Sequence, residues 1–467
     1  MAYADFKNNV TYSVASKAIE GAIKYINDSD KRQEKLLKLV DLSQKIMGDK
    51  FRTEVFDGAR NLISDNDNKW MQYVNKAINE LDPNVVKMHA LNLGYQSAFY
   101  GYSKTVEFEK EYGYKIPWII LMDPTSACNM HCKGCWAAEY GKSLNLSYED
   151  LDSIICQGEQ LGIYFYMMTG GEPLMRKNDI LKLAKKHNKC AFHLFTNGTL
   201  VDEELCEEMR KLGNISLSVS IEGFEEAIDF RRGEGCFKKV THSMKLLKEH
   251  GLLFGTSICY TSKNYKVVTS DEFLDFLIDN GVRYTWYFHY MPVGNDATTD
   301  LLLTPEQREY MYHRVREIRA NVGGKPIYTF DFQNDGEFVG GCIAGGRFYC
   351  HINPNGDVEP CVFIHYSNAN IHDMSLLDCL SQPLFKAYQK GQPFNNNPLR
   401  PCPMLENPEC LEILVNKVGA KSTDMKSPEP VCSLCGKCKE YAADWAPTAE
   451  KLITLHPSKR KIEKGNL

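Results

Sequence analysis

The residues with the most distinctive chemistry lie in the run CNMHCKGC, where Cys128, Cys132 and Cys135 stand at x3 and x2 spacing. Three thiols this close can hold three corners of one metal centre. Iron–sulfur clusters normally take four thiolates, and no fourth cysteine is nearby. A three-cysteine cluster leaves one iron open to a small molecule, as an open position makes a zinc site catalytic. The competing assignment is a structural zinc ion completed by His131 or a distant residue. A second group lies further on. Cys342 and Cys361 flank a glycine as Cys342-x13-Gly356-x4-Cys361, and Cys402, Cys410, Cys432, Cys435 and Cys438 follow. Cys432-x2-Cys435 would serve equally as half of a zinc site.

The chain holds 17 cysteines in 467 residues, and none precedes Cys128. MAYADFKNNV lacks the basic-then-apolar pattern of a secretory leader, which predicts a cytoplasmic protein. There, clustered cysteines point to metal rather than to disulfides. Cys156, Cys190, Cys206, Cys236, Cys259 and Cys379 sit in helix or strand patterns and read as core thiols. His351, His365 and His372 lie near the later cysteines and read as packed or solvated rather than as iron ligands. A net charge of -5, from 55 basic and 60 acidic residues, argues against a nucleic-acid footprint. No apolar run reaches membrane-spanning length.

The elements that must position these residues follow from periodicity. Residues 1–115 repeat apolar positions at helical spacing (Val14, Ala18, Ile19, Ala22, Tyr25, Ile26) and contain no convincing strand. They read as a helical domain that packs its own stripes, with substrate docking or capping as the second reading. Over 116–325 six short apolar segments alternate with helical patterns: 117–123, 164–169, 191–196, 215–220, 254–260 and 284–291. Such alternation implies βα units and a parallel sheet, with ligands at the C-terminal strand ends. Six strands suit a partial (β/α)6 TIM-like barrel, and CNMHCKGC falls on its first loop. Trp286, Tyr287, His289 and Tyr290 on the sixth strand read as an aromatic core strand ahead of a substrate pocket. Residues 326–445 are turn-rich and cysteine-rich with little helical pattern, and hold one hairpin signal at Asn355-Gly356. Residues 446–467 read as a polar, frayed tail.

The x3, x2 spacing after the first strand resembles the radical S-adenosylmethionine (SAM) superfamily. Gly170-Gly171-Glu172-Pro173 after strand two is similar to that family's GGEP segment, and Thr196-Asn197-Gly198 to its TNG turn. Ser220 and Glu222 in SVSIEG match polar positions lining the SAM site, and Arg232 matches an arginine that often faces the SAM carboxylate. One departure is Gly134, which stands where an aromatic is usual, with Trp136 just beyond the third cysteine. The C-terminal Cys–Gly–Cys pattern resembles the opening of SPASM and twitch domains.

The resemblance implies a [4Fe–4S] cluster on Cys128, Cys132 and Cys135, with SAM on its open iron. Reductive cleavage to a 5′-deoxyadenosyl radical would then abstract a substrate hydrogen. Gly170, Gly171, Glu172, Pro173, Asn197, Ser220, Glu222 and Arg232 are the implied cofactor contacts. It also implies at least one auxiliary [4Fe–4S] cluster, with two as the alternative. Cys342, Cys361 and Cys402 are the first three ligands taken, and Cys438 the fourth in competition with Cys410, Cys432 and Cys435. The implied partner is a low-potential donor such as flavodoxin or ferredoxin. The expected activity is peptide or protein modification, or another C–H functionalisation. The alternatives are action on a porphyrin, lipid or other small molecule, or a non-catalytic iron–sulfur or zinc protein. The N-terminal helices do not look like the winged-helix peptide-recognition element of several peptide maturases.

Overall fold

The computed structural model describes residues 2–27, 31–47, 53–65, 67–137, 140–294, 297–458 and 464–465. Its centre is one mixed sheet of nine strands: β1 Ile119–Met122, β2 Phe165–Met168, β3 Ala191–Thr196, β4 Ile215–Ser220, β5 Phe254–Tyr260, β6 Tyr284–His289, β7 Tyr328–Asp331, β8 Tyr349–Ile352 and β9 Val358–Glu359. Their order is β7-β6-β5-β4-β3-β2-β1-β8-β9. The six expected strands are adjacent and parallel, in register as Ile119↔Phe165 for β1–β2 and Thr256↔Thr285 for β5–β6. The structure adds two parallel strands outside them. β7 extends the sheet beyond β6, and β8 pairs β1 as Ile119↔Tyr349. β9 folds back on β8 as His351↔Glu359, which is the Asn355-Gly356 hairpin.

Alternation along the strands separates two cores. Ile120, Met122, Tyr166 and Met168 face the outer helices, while Leu121, Phe165 and Met167 face inward. That inner cluster also contains Cys361, Tyr388, Cys435 and Cys438 of the cysteine-rich region. Barrel interior and C-terminal region therefore share one apolar core.

The N-terminal helices dock at the far end of the barrel. Asn92 donates to the Cys190 carbonyl just before β3 (3.0 Å), Asn84 to Arg210 and Lys211 ahead of β4, and Glu80 pairs with Arg283 before β6 (2.5 Å). These contacts lie at the N-terminal strand ends, so the capping reading is corrected.

Two further expectations change. The cysteine-rich region is not poor in helix: Pro383–Gly391, Pro408–Val418 and Val431–Leu455 are helical. Cys432, Cys435 and Cys438 are spaced by three, close enough to 3.6 to ride one helix. The tail expected from 446 is helical to Leu455, because Trp445, Ala449 and Leu452 bury against Tyr312 and Leu399. Within 456–467, residues 459–463 and 466–467 lie outside the described residues. Among the described residues no helix is long and apolar enough to cross a membrane.

Candidate active site

The loop after β1 carries Cys128, Cys132 and Cys135, and all three line one cavity of about 250 Å³ at the C-terminal strand ends. Cys135 is exposed, and the other two are half-buried. Burial pushes the Cys128 thiol up, and that of Cys132 too, although Arg232 partly offsets it. The loop is held from both sides. From β2, Gly171 N–H donates to Thr125 O (2.9 Å) and Glu172 N–H to Ala127 O (2.8 Å). A Cβ on Gly171 would lie 2.1 Å from the Ala127 oxygen, and one on Gly170 2.6 Å from that of Thr125. The two glycines thus let one backbone press against another. From the opposite side, Lys133 N–H donates to Arg231 O (2.9 Å).

Glu172 is buried, and burial pushes its carboxyl up. It accepts Thr196 Oγ1 (2.6 Å), Leu174 N–H (3.0 Å) and Asn197 N–H (2.7 Å). That leaves about one of four lone-pair sites free. Asn197 donates to Asn129 (2.9 Å), which ties the TNG turn to the cysteine loop. Ser220 closes β4 on the same wall. Glu222 lies between two guanidiniums, with Arg231 Nη1 at 2.5 Å and Arg232 Nε at 2.6 Å. Burial raises the Glu222 carboxyl, but Arg232 and Arg231 outweigh it and hold it low. Arg232 Nη1 also reaches Cys132 Sγ at 3.9 Å.

The cavity therefore gathers every expected cofactor contact except Pro173, which instead opens the short helix Pro173–Arg176 capped by Glu172. Sequence reasoning missed Arg231, although RR beside an acidic strand end was a readable signal. It also missed much of the aromatic lining: Phe195, Phe288, Phe332 and Phe363 stand there with Trp286, His289 and Tyr290. The sixth strand is both pocket and core, since Tyr287 points away and donates to Val268 O (2.7 Å).

The later cysteines close a second site. Cys361, Cys410, Cys435 and Cys438 lie in one buried cluster with the Tyr388 phenol, and Cys342 and Cys402 pack against it. That phenol is buried and its hydroxyl has no partner. An orphaned O–H in a cluster with these thiols fits a sulfide-rich group. Tyr349, which also lines the first cavity, donates to Cys361 Sγ at 2.7 Å. Cys438, the expected fourth member, is buried in the same cluster, one helical turn beyond Cys435. The three histidines each meet a carboxylate. His351 lies between Asp123 (3.1 Å) and Glu359 (2.7 Å), His365 meets Asp424 (2.6 Å), and His372 is on the surface.

A parallel barrel with a three-thiol loop over its strand ends, plus a separate cysteine-rich site, defines a class of SAM-dependent iron–sulfur enzyme. Residues 122–277 match the model of the radical SAM superfamily, and residues 342–439 that of an iron–sulfur cluster-binding domain, SPASM. The chain belongs to the radical SAM superfamily and carries a SPASM domain. Its cofactors are accordingly a [4Fe–4S] cluster, SAM and auxiliary iron–sulfur clusters. It is 26% identical over 285 residues to the AdoMet-dependent heme synthase of Oleidesulfovibrio alaskensis, covering 55% of this chain and 72% of that one. It is 25% identical over 285 residues to the mycofactocin maturase MftC of Mycolicibacterium smegmatis, covering 58% and 68%. The solved structure of Streptococcus suis SuiB with its precursor peptide SuiA has the same fold, with TM-score 0.54, 19% identity, and coverage of 75% and 81%.

Proposed function

We propose that this enzyme modifies a peptide or protein substrate by hydrogen abstraction in the cavity above β1–β6. One observation carries the reading: three thiols, the GGE turn and the Glu222–arginine pair share that single cavity. Cys128, Cys132 and Cys135 hold the first cluster. Gly170, Gly171, Glu172, Asn197, Ser220, Glu222 and Arg232 surround SAM. When bound, cluster and SAM supply a 5′-deoxyadenosyl radical. Glu172 acts mainly by fixing the TNG turn and presents its remaining lone pair to an ammonium. Arg232, already paired with Glu222, offers its outer N–H groups to a carboxylate and a positive field to Cys132.

Cys342, Cys361 and Cys402 are the proposed first three auxiliary ligands, with Cys438 as the fourth and Cys435, one turn before it on the same helix, as its competitor. The domains are then 1–115, 116–325 and 326–455. A peptide substrate is supported by the maturase among the relatives and by the fold shared with SuiB. The heme synthases favour a tetrapyrrole as the second reading. A flavodoxin- or ferredoxin-like donor in the cytosol would supply the electron. The test is anaerobic reconstitution with iron and sulfide, followed by dithionite and SAM. Formation of 5′-deoxyadenosine supports the reading, and zinc alone at one or two per chain overturns it.

A further inference from the structure

We infer that the reacting part of the substrate is an uncharged, apolar or aromatic side chain. This rests on the reading above and narrows its substrate class. The cavity has two unlike walls. Its charged lining residues, among those described, are Glu172, Glu222, Arg231 and Arg232, all beyond β2 and β4. Both arginines are committed to Glu222.

Much of the remaining lining is aromatic. Trp286 stacks on Phe330 at 4.3 Å and 14°, Phe288 meets Phe195 at 5.7 Å and Phe332 at 5.3 Å, and Phe363 closes on Phe288 at 6.4 Å. The polar groups on this wall are nearly all spent. His289 gives and takes both of its ring bonds, Nδ1 to Tyr290 O (2.7 Å) and Nε2 to Tyr441 (2.8 Å). Tyr349 is committed to Cys361. The Trp286 Nε1–H is buried with no partner.

A charged group pressed on these rings would lose its hydration against a lining that carries no charge of its own. An apolar group would gain by leaving water, and flat rings have partners for edge-to-face contact. A tetrapyrrole bearing several carboxylates is the poorer match, since this wall offers those groups no cation.

The holoenzyme can be tested with blocked amino acids as probes: the acetyl amides of leucine, phenylalanine, tyrosine, lysine and glutamate, together with coproporphyrin III. Saturation-transfer NMR reads binding without turnover. Carbon-deuterated probes with dithionite and SAM read transfer, as deuterium moving from the probe carbon to the methyl of 5′-deoxyadenosine. The three uncharged side chains are expected to bind and to transfer label at least tenfold more than lysine or glutamate. Phe288→Arg should move the preference towards glutamate, and Trp286→Phe should weaken the probes without restoring lysine. The wild-type series stands even if a variant fails to fold. Equal binding of charged and uncharged probes, or preferential label from the porphyrin, overturns the inference while leaving the enzyme class intact. Absence of 5′-deoxyadenosine overturns the class itself.

Discussion

The two cysteine regions differ in enclosure. Cys128, Cys132 and Cys135 stand on one loop, face a cavity, and include an exposed thiol. Cys342, Cys361, Cys402 and Cys438 come from separate segments, and Cys361 and Cys438 are sealed in the inner apolar core. Burial drives the Cys361 and Cys438 thiols up to about 12, so ionisation there depends on an arriving metal. The first arrangement leaves room for a ligand on the metal. The second suits a group that fastens chain segments and exchanges electrons rather than substrates.

The sharpest break of this comparison is mutational. Changing Cys128, Cys132 and Cys135 to Ala should abolish 5′-deoxyadenosine formation and remove about four irons per chain. The Cys342→Ala, Cys361→Ala double variant should lose iron beyond those four and lower the melting temperature, yet still cleave SAM slowly. Iron analysis and product chromatography separate the two. Unchanged iron in the double variant would remove the hairpin from the auxiliary site.

A smaller effect is expected between the regions. Arg232→Ala removes a charge-assisted donor worth roughly 1.5–3 kcal/mol, which is a ten- to hundredfold loss of SAM affinity. Arg231 still neutralises Glu222 in that variant, so stability should change less than affinity. Equilibrium dialysis of SAM against the variant checks this, and an unchanged dissociation constant takes Arg232 out of the site.

Much of this was legible in local sequence. The segments 191–196, 215–220 and 254–260 coincide with β3, β4 and β5, because buried parallel strands read as apolar runs. The contacts at their C-terminal ends followed from motif order. The pairing of β8 with β1 was not legible, because it joins segments some 230 residues apart and periodicity carries no partner information. β7 is only four residues long and half-open at Tyr328. That Cys432, Cys435 and Cys438 share one helix depended on recognising Cys-x2-Cys-x2-Cys as helical spacing. The aromatic wall was half visible in the alternation of β6, but Phe332 and Phe363 reach it from loops.

The seam between the regions makes a pH prediction. His351 is buried between Asp123 on the barrel side and Glu359 on the hairpin. Burial lowers its pKa, but the two carboxylates outweigh that and lift it to about 10, above an unfolded value near 6.5. The raised pKa means its stabilisation is complete below about pH 6.5 and is lost as pH rises towards 10. The melting temperature of the anaerobic holoenzyme should fall across that window. His351→Gln should start lower and show a flatter slope. Parallel curves would mean that His351 is neutral in the folded state.

The smallest expected effect is at a side chain that touches both regions. Tyr349 lines the first cavity and donates to Cys361 Sγ. Hydrogen bonds to cluster sulfurs favour the more negative, reduced state and raise the potential. Tyr349→Phe keeps the ring in the wall and removes only that donor. A neutral hydrogen bond is worth about 0.5–1.5 kcal/mol, equivalent for one electron to about 20–65 mV. Potentiometric titration followed by electron paramagnetic resonance should show the auxiliary signal shifted downward by that order. The signal of the SAM-binding cluster should stay in place, because its thiols lie on the other loop. A shift of the first cluster instead would mean that the two regions are coupled through the cavity rather than through Cys361. No shift in either would detach Tyr349 from the metal and leave it as wall alone.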